Sequence, residues 1–408
     1  MDRSFRFLHA ADLHLERPPR GLGEVPDHLR SVLALAPYRA AERVFDAALK
    51  RQVDFVVLAG DVVDPQLAGP RALVFLNEQF DRLAGQGIKV YWAGGRADRF
   101  EQFVDAWPLS DNVLRFPRKR VERVVHLRGG EPLVQILGTS TPRRKRIATA
   151  DFAPDSSELF AVAVAYGKTD AEALARHSVN YWALGGEHPR RSLLRGAATG
   201  LYCGTPQGRR PRESGPHGCT LAQVDETGRV RTTFIPTDAV RYGNERVTVD
   251  ESTTCEQLFQ ILTARAGELL VDPFGPHWIV RWKVVGSRSL ADRLRVGKWS
   301  ADVVARLRAE HAAKRPGAWT VSVEAASAED VPAECYDEET LLGEFLRTVR
   351  HYQEHPDEPL ALEAFLAERH AGGRLGAATL DEPAVRRRVL AEAAALGVEL
   401  LRPREGGS

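Results

Sequence analysis

Methionine and cysteine are scarce in this chain of 408 residues: there are one Met and four Cys. Cys203, Cys219, Cys255 and Cys335 have no C-x-x-C spacing, which argues against a zinc knuckle and a disulfide framework alike. A reducing cytoplasm is the expected setting. Long apolar runs are missing too. No uncharged stretch reaches the roughly eighteen residues that a membrane-spanning helix needs. The charged opening MDRSFRFLHAADLH leads straight into an apolar strand, with no signal-peptide core. Net charge is nearly absent at +1, and lysine supplies only 8 of the 56 basic residues. A GC-rich genome would give that arginine bias without any functional cause.

What is present is the profile of a folded protein, 43% hydrophobic and 27% charged. The chain is too long for one comfortable core and suits two domains with an appendage. Its small net charge conceals a segregation. Residues 115–146 carry Arg115, Arg118, Lys119, Arg120, Arg123, Arg128, Arg143, Arg144, Lys145 and Arg146 against Glu122 and Glu131, a net of +8. Residues 320–408 hold 18 acids and 9 arginines, a net of −9. Arginines clustered on loops suit phosphates, and acidic helices suit a protein surface. The alternative for either run is a solvated face.

Through the first two hundred residues, apolar runs alternate with helix-period stretches. FRFLHAA (5–11), DFVVLA (54–59), IKVYWA (88–93), LFAVAVAY (159–166) and YWAL (181–184) read as buried strands. Residues 37–51, opened by Pro37, and residues 69–84 and 170–177 read as helices. This alternation predicts an α/β domain with strands covered on both faces. From about residue 243 a β-α-β-α-β pattern (247–249, 254–266, 278–285, 299–311, 319–323) predicts a second unit. Beyond Val331 only helices are expected, near 338–353, 360–368 and 382–397. The expected division is 1–240, 241–330 and 331–408.

Polar residues follow the apolar strands at the place where open α/β sheets bind ligands, beyond the strands' carboxyl ends. Asp12 and His14 form a D-x-H pair after the first strand, and Gly60-Asp61-Val62-Val63-Asp64 follows the second. Carboxylate oxygen and imidazole nitrogen held close suit manganese, iron or zinc better than calcium or magnesium. The plain alternative is strand-end aspartates that cap turns.

On these residues, in this order, the chain resembles the calcineurin-like metallophosphoesterases, and among them the DNA-repair exonuclease branch (the SbcD- and YhaO-like group). GTPQGR at residues 204–209 resembles a segment that follows the nuclease core in that branch. The resemblance covers residues 1 to about 240 well, and a capping domain at 241–330 more loosely. It implies a four-layer α/β/β/α sandwich, a small α/β cap and C-terminal helices. It also implies two divalent cations bridged by the GDxxD aspartate, with DNA and an SMC-like ATPase as partners. The ATPase would dock on the C-terminal helices, where Val349, Tyr352, Ala361, Leu362, Phe365 and Leu366 offer an apolar face. Those helices packing back on the second domain is the alternative. A homodimer is left open, and a membrane is not implied.

Matched residue by residue, the family's motifs fail in a pattern. One cation would have Asp12, His14, Asp61 and a final histidine, here His188, and all four are present. The other would need Asp61 with an asparagine and two histidines, where this chain has Gly95, Tyr166 and Gly186. Arg96 stands in place of the leaving-group histidine. Half of a two-metal clamp is therefore missing. The resemblance then implies a divergent, catalytically impaired member that binds DNA or a partner through a one-cation or cation-free site. Two alternatives stay open. One is an active one-metal phosphoesterase in which the always-charged Arg96 replaces the second ion, with Glu187 or Asp98 as substitute ligands. The other is a non-catalytic structural subunit. Arg143, Arg144, Lys145, Arg146 and Arg209 are the candidate phosphate or DNA contacts.

Overall fold

The computed structural model describes residues 3–22, 24–98, 107–140, 146–155, 158–295, 298–325, 334–360 and 383–401. The chain begins with β1 (Phe5–Ala10), α1 (Asp27–Lys50), β2 (Phe55–Ala59), α2 (Pro65–Ala84), β3 (Lys89–Ala93) and β4 (Val113–Arg115). A second series follows: β5 (Glu122–Arg128), β6 (Glu131–Gly138), β7 (Phe160–Tyr166), α3 (Ala171–Ala175), β8 (Tyr181–Gly185), β9 (Arg191–Leu194) and β10 (Thr199–Tyr202). β11 (Gly218–Val224) and β12 (Val230–Pro236) then return to the first sheet. The two sheets have the orders β12-β11-β1-β2-β3-β4 and β5-β6-β7-β8-β10-β9. β1 to β4 run parallel in one, and β6, β7, β8 and β10 in the other.

Alternation of side chains along each strand builds the layers. Phe7, Phe55, Val57 and Tyr91 meet Val134, Ile136, Val162, Val164 and Tyr181 between the sheets. Phe7 and Phe55 stack there at 4.9 Å, each fully buried ring contributing roughly 1.5–3 kcal/mol. The intervening residues Leu8, Val56, Leu58, Val90 and Trp92 pack instead with Val44 and Phe45 of α1 and Leu76 and Phe80 of α2. Ala161, Ala163, Trp182 and Leu184 pack with Leu174 of α3 on the outer side of the second sheet. The result is the α/β/β/α sandwich, with a thin fourth layer.

Two expectations need correction. α1 was expected to open at Pro37 but begins at Asp27 and carries Pro37 inside. Leu29, Leu33 and Ala36 are buried on the same helix as Ala40 and Val44, and that packing outweighs the hydrogen bond proline cannot donate. The basic run 115–146, expected on loops, is in part the β5–β6 hairpin. There Arg128 pairs with Asp54 at 2.6 Å and Arg123 with Asp155 at 3.5 Å.

After β12 come β13 (Val240–Thr248), α4 (Cys255–Leu269), β14 (His277–Val285), α5 (Arg288–Arg295), α6 (Lys298–His311) and β15 (Ala318–Ala325). The three strands form a sheet of order β13-β14-β15. The helical end comprises α7 (Glu334–Asp337), α8 (Leu341–Glu354) and α9 (Pro383–Leu401). The chain divides into two compact units: Met1–Gly243, Leu269–Val280 and His311–Trp319, and Asn244–Glu268, Arg281–Glu310 and Thr320–Ser408. Within the second, Leu342, Leu346 and Val349 of α8 are buried with Leu390, Ala391 and Ala394 of α9, and Tyr352 packs beside them. Val349 is thus spent on an intrachain contact. Ala361, Leu362, Phe365 and Leu366 lie outside the described residues. Among the described residues no helix is long and apolar enough to cross a membrane.

Candidate metal centre

The candidate ligands sit on turns leaving the carboxyl ends of parallel strands. Asp12, His14 and Asp61 have φ of 54°, 46° and 50°, the left-handed region that costs a non-glycine residue about 1–3 kcal/mol. Backbone bonds hold them there. The Asp12 N–H donates to the Gly60 carbonyl at 2.8 Å, and the His14 N–H to that of Asp61 at 3.1 Å. GTPQGR supplies a clamp: Thr205 Oγ1 donates to the Asp12 carbonyl at 2.8 Å. Gly185 lets the two sheets close at this end, because a Cβ there would collide with the Ala59 carbonyl and Ala11. The next N–H, of Gly186, donates to Asp12 Oδ2 at 2.8 Å.

These turns bring Asp12, His14 and His188 together, one donor atom of each lying within 4.8 Å of the others. Asp12, His14 and Asp61 are buried, while His188 is half-buried. His14 Nε2 lies 3.8 Å from Asp12 Oδ1 and 3.7 Å from Asp61 Oδ2. Asp12 Oδ1 is buried with no hydrogen-bond partner, a costly state for a carboxylate. Burial, then the Asp61 carboxylate, push the Asp12 carboxyl well above its ordinary range. Burial holds His14 below the usual imidazole value, hence neutral. An orphaned carboxylate oxygen beside a neutral imidazole and a second histidine is a donor set for manganese, iron or zinc, so these residues fit one such cation.

Each histidine is oriented by a carboxylate, the usual outer shell of a metal-binding imidazole. Glu16 Oε1 lies 3.4 Å from His14 Nδ1, while its other oxygen accepts from the Asp64 N–H at 3.1 Å. Glu213 Oε1 lies 2.8 Å from His188 Nδ1. Burial raises the Glu213 carboxyl, but the His188 hydrogen bond and the Arg209 N–H outweigh it and bring it to about 2. An Nδ1–H donating to this carboxylate leaves Nε2 with its lone pair. Arg209 Nη2 donates to that Nε2 at 2.7 Å. Arg209 is therefore a positive charge at the cluster itself, which a cation reaching His188 Nε2 has to displace.

Asp61 is engaged on both oxygens. Oδ1 accepts from the Ala97 N–H at 2.6 Å, and Oδ2 accepts from the Tyr166 hydroxyl at 2.6 Å. The Tyr166 ring lies in a cradle of glycines. A Cβ on Gly60 would come 2.5 Å from the ring, one on Gly95 2.9 Å, and one on Gly186 3.2 Å. A Cβ on Gly95 would also meet Asp61 Oδ1 at 2.5 Å. Gly95, Tyr166 and Gly186, singled out in sequence as departures from a motif, thus meet at one place beside Asp61.

Other candidates stand elsewhere. Asp98 is fully buried and pins the turn, Oδ1 accepting from Val62 and Val63 and Oδ2 from Gly95 at 2.8–3.0 Å. Burial, then Asp61, raise its carboxyl to about 7. Glu187 pairs with Arg191 at 2.9 Å. Neither joins the cluster. Arg96 is exposed. Asp64 caps α2, its Oδ1 accepting from the Gln66 N–H at 3.1 Å, so only one aspartate of GDVVD faces the cluster. Arg143, Arg144 and Lys145 lie outside the described residues, and Arg146 pairs with Asp170 at 2.8 Å. Sequence reasoning missed Glu16 and Glu213. The D-x-H-x-E spacing of Asp12, His14 and Glu16 was a readable signal; Glu213, 25 residues from His188, gave none.

Residues 5–204 match the family described as calcineurin-like phosphoesterase. The chain is 28% identical over 272 residues to the uncharacterized metallophosphoesterase YhaO of Bacillus subtilis (strain 168), a match spanning 63% of this chain and 66% of that protein's length. Among solved structures, it is similar to a dimetal phosphatase from Danio rerio, with 12% identity and a TM-score of 0.34 over 57% of this chain and 99% of that one. It is also similar to a conserved uncharacterized protein from Streptococcus pneumoniae TIGR4, with 17% identity and a TM-score of 0.25 over 57% of this chain and 90% of that one.

Proposed function

From the match of residues 5–204 to the calcineurin-like phosphoesterase family, we propose that this chain acts on a phosphate ester through one divalent cation, held by Asp12, His14 and His188 beside Asp61. The observation that carries the reading is the convergence of those three donors around the unpartnered Asp12 Oδ1. Such a cation, when bound, polarises a phosphoryl oxygen as a Lewis acid. Glu16 and Glu213 aim the two imidazoles, and Arg209 yields His188 Nε2 while keeping its charge near the phosphate. A second cation is not part of the proposal, because the Tyr166 hydroxyl occupies the Asp61 oxygen on that side and its ring fills the space that ligands at 95 and 186 would use. Without a histidine at 96 to assist the leaving group, turnover is slow. Arg96 is exposed and available to an incoming phosphate.

The polyanion this reading favours is DNA. A partner ATPase would have to use the α8 and α9 surfaces left outside their shared core, where Leu341 and Leu396 are exposed. DNA affinity that stayed flat as salt rose would remove the first of these extensions.

The test is manganese uptake by the full chain after dialysis, read by elemental analysis. About one equivalent is expected for the wild type and none above background for Asp12→Ala, together with slow manganese-dependent hydrolysis of bis(p-nitrophenyl) phosphate that Asp12→Ala abolishes. Equal uptake by both proteins would overturn the proposal.

A further inference from the structure

The other side of Tyr166 is the wall of a cavity. About 260 Å³ in volume, it is lined by Lys119, Arg120 and Val121, Thr139, Arg146 to Ala148, Asp151 and Phe152, and Ala165 and Tyr166. Its character is divided. Val121, Ile147, Phe152 and Ala165 make an apolar floor, while Lys119, Arg120 and Arg146 are exposed at its edge. Arg146 already has Asp170, but this pair is solvent-exposed and weakly held. Lys119 and Arg120 have no acidic partner among the described residues.

Both walls are fixed to the sheet. On one side, the Ser140 N–H donates to the Pro117 carbonyl at 2.9 Å, and Ser140 Oγ to that of Phe116 at 2.6 Å. Lys119 in that loop has φ of 77°, an uncommon conformation for a residue with a Cβ. On the other side, the Ile147 N–H donates to the Lys168 carbonyl at 3.0 Å. A largely apolar pocket with a few placed polar groups is the usual make-up of a small-molecule site, and a basic rim favours an anion there.

We infer that this cavity holds the organic group of a phosphate ester, a nucleotide's base and sugar, while Lys119 and Arg120 hold its phosphate at the rim. Tyr166 belongs to both sites: its hydroxyl donates to Asp61 and the residue lines the cavity. The inference deepens the phosphoesterase reading and rests on it for the choice of a phosphate ester, but binding in the cavity itself needs no cation.

The experiment is calorimetric titration of the EDTA-treated full chain with thymidine 5′-monophosphate, a short single-stranded oligothymidylate, and inorganic phosphate. Thymidine monophosphate or the oligonucleotide is expected to bind at least tenfold more tightly than inorganic phosphate. Lys119→Ala/Arg120→Ala should weaken that binding tenfold or more. Val121→Trp, which fills the cavity and leaves the charges, should abolish the nucleotide's advantage over inorganic phosphate. Thermal melting of each variant checks that it is folded. Tight binding of the mononucleotide assigns the cavity to a free nucleotide, and tight binding of the oligonucleotide alone assigns it to a DNA end. No nucleotide binding, or binding indifferent to both variants, overturns the inference. Because EDTA removes cations, this outcome is independent of manganese uptake, so either proposal can fail alone.

Discussion

On one side of Asp61 lie Asp12, His14 and His188, two of them aimed by half-buried carboxylates, with one carboxylate oxygen left unpaired. On the other side lie Gly95, Gly186 and the Tyr166 ring, with the phenol bonded to Asp61. The same turn conformation at Asp61 serves both. The first half costs stability as it stands and would gain from a cation. The second is already satisfied by ordinary packing and one hydrogen bond. On the proposed reading, a packed aromatic replaces one ligand set of a two-metal site, and the other set keeps its supports.

The largest effect expected on this contrast is on cation affinity. Glu213→Gln leaves His188 without its orienting carboxylate and should weaken manganese binding 10–100-fold, the range seen for outer-shell ligands. Tyr166→Phe, on the opposite half, should leave that affinity within about threefold. Calorimetry on both variants breaks the comparison if their effects are alike. Next comes packing. Gly95→Ala puts a Cβ against Asp61 and the Tyr166 ring and should destabilise by about 1–3 kcal/mol, as overpacking does. In a Tyr166→Ala background part of that loss should vanish, which a double-mutant cycle in urea measures. The smallest effect lies away from both halves. His126, bonded to the Tyr91 hydroxyl at 2.9 Å, is held by burial at about 4 against an ordinary 6.5. The unfolded chain takes up this proton first, so stability is full above about pH 6.5 and falls as pH drops toward 4. His126→Gln should flatten part of that slope in urea melts at stepped pH, leaving cation affinity at neutral pH unchanged.

Much of this was legible in the sequence because it is written locally. Strands β1, β2, β3, β7 and β8 follow from apolar runs, whereas β4, β5 and β6 were not read from the sequence; Asp12, His14 and Asp61 stand where strands end. His188 could be placed only by analogy, yet it lies in the cluster. What was hidden depends on distant residues meeting. Nothing near Tyr166 says that its hydroxyl reaches Asp61, 105 positions away, or that three glycines make room for its ring. Glu213 reaches His188 only after the chain has crossed β9 and β10. Pro37 misled because a local rule about helix starts yields to burial of Leu29 and Leu33. Asp98 looked like a spare ligand, but its oxygens hold three backbone amides.

The most direct test of one cation against two is anomalous scattering from crystals soaked in manganese. The account predicts one peak for the wild type, among Asp12, His14 and His188, and a second peak beside Asp61 in the Gly95→Asn/Tyr166→His/Gly186→His variant. Two peaks in the wild type, or none, would contradict it.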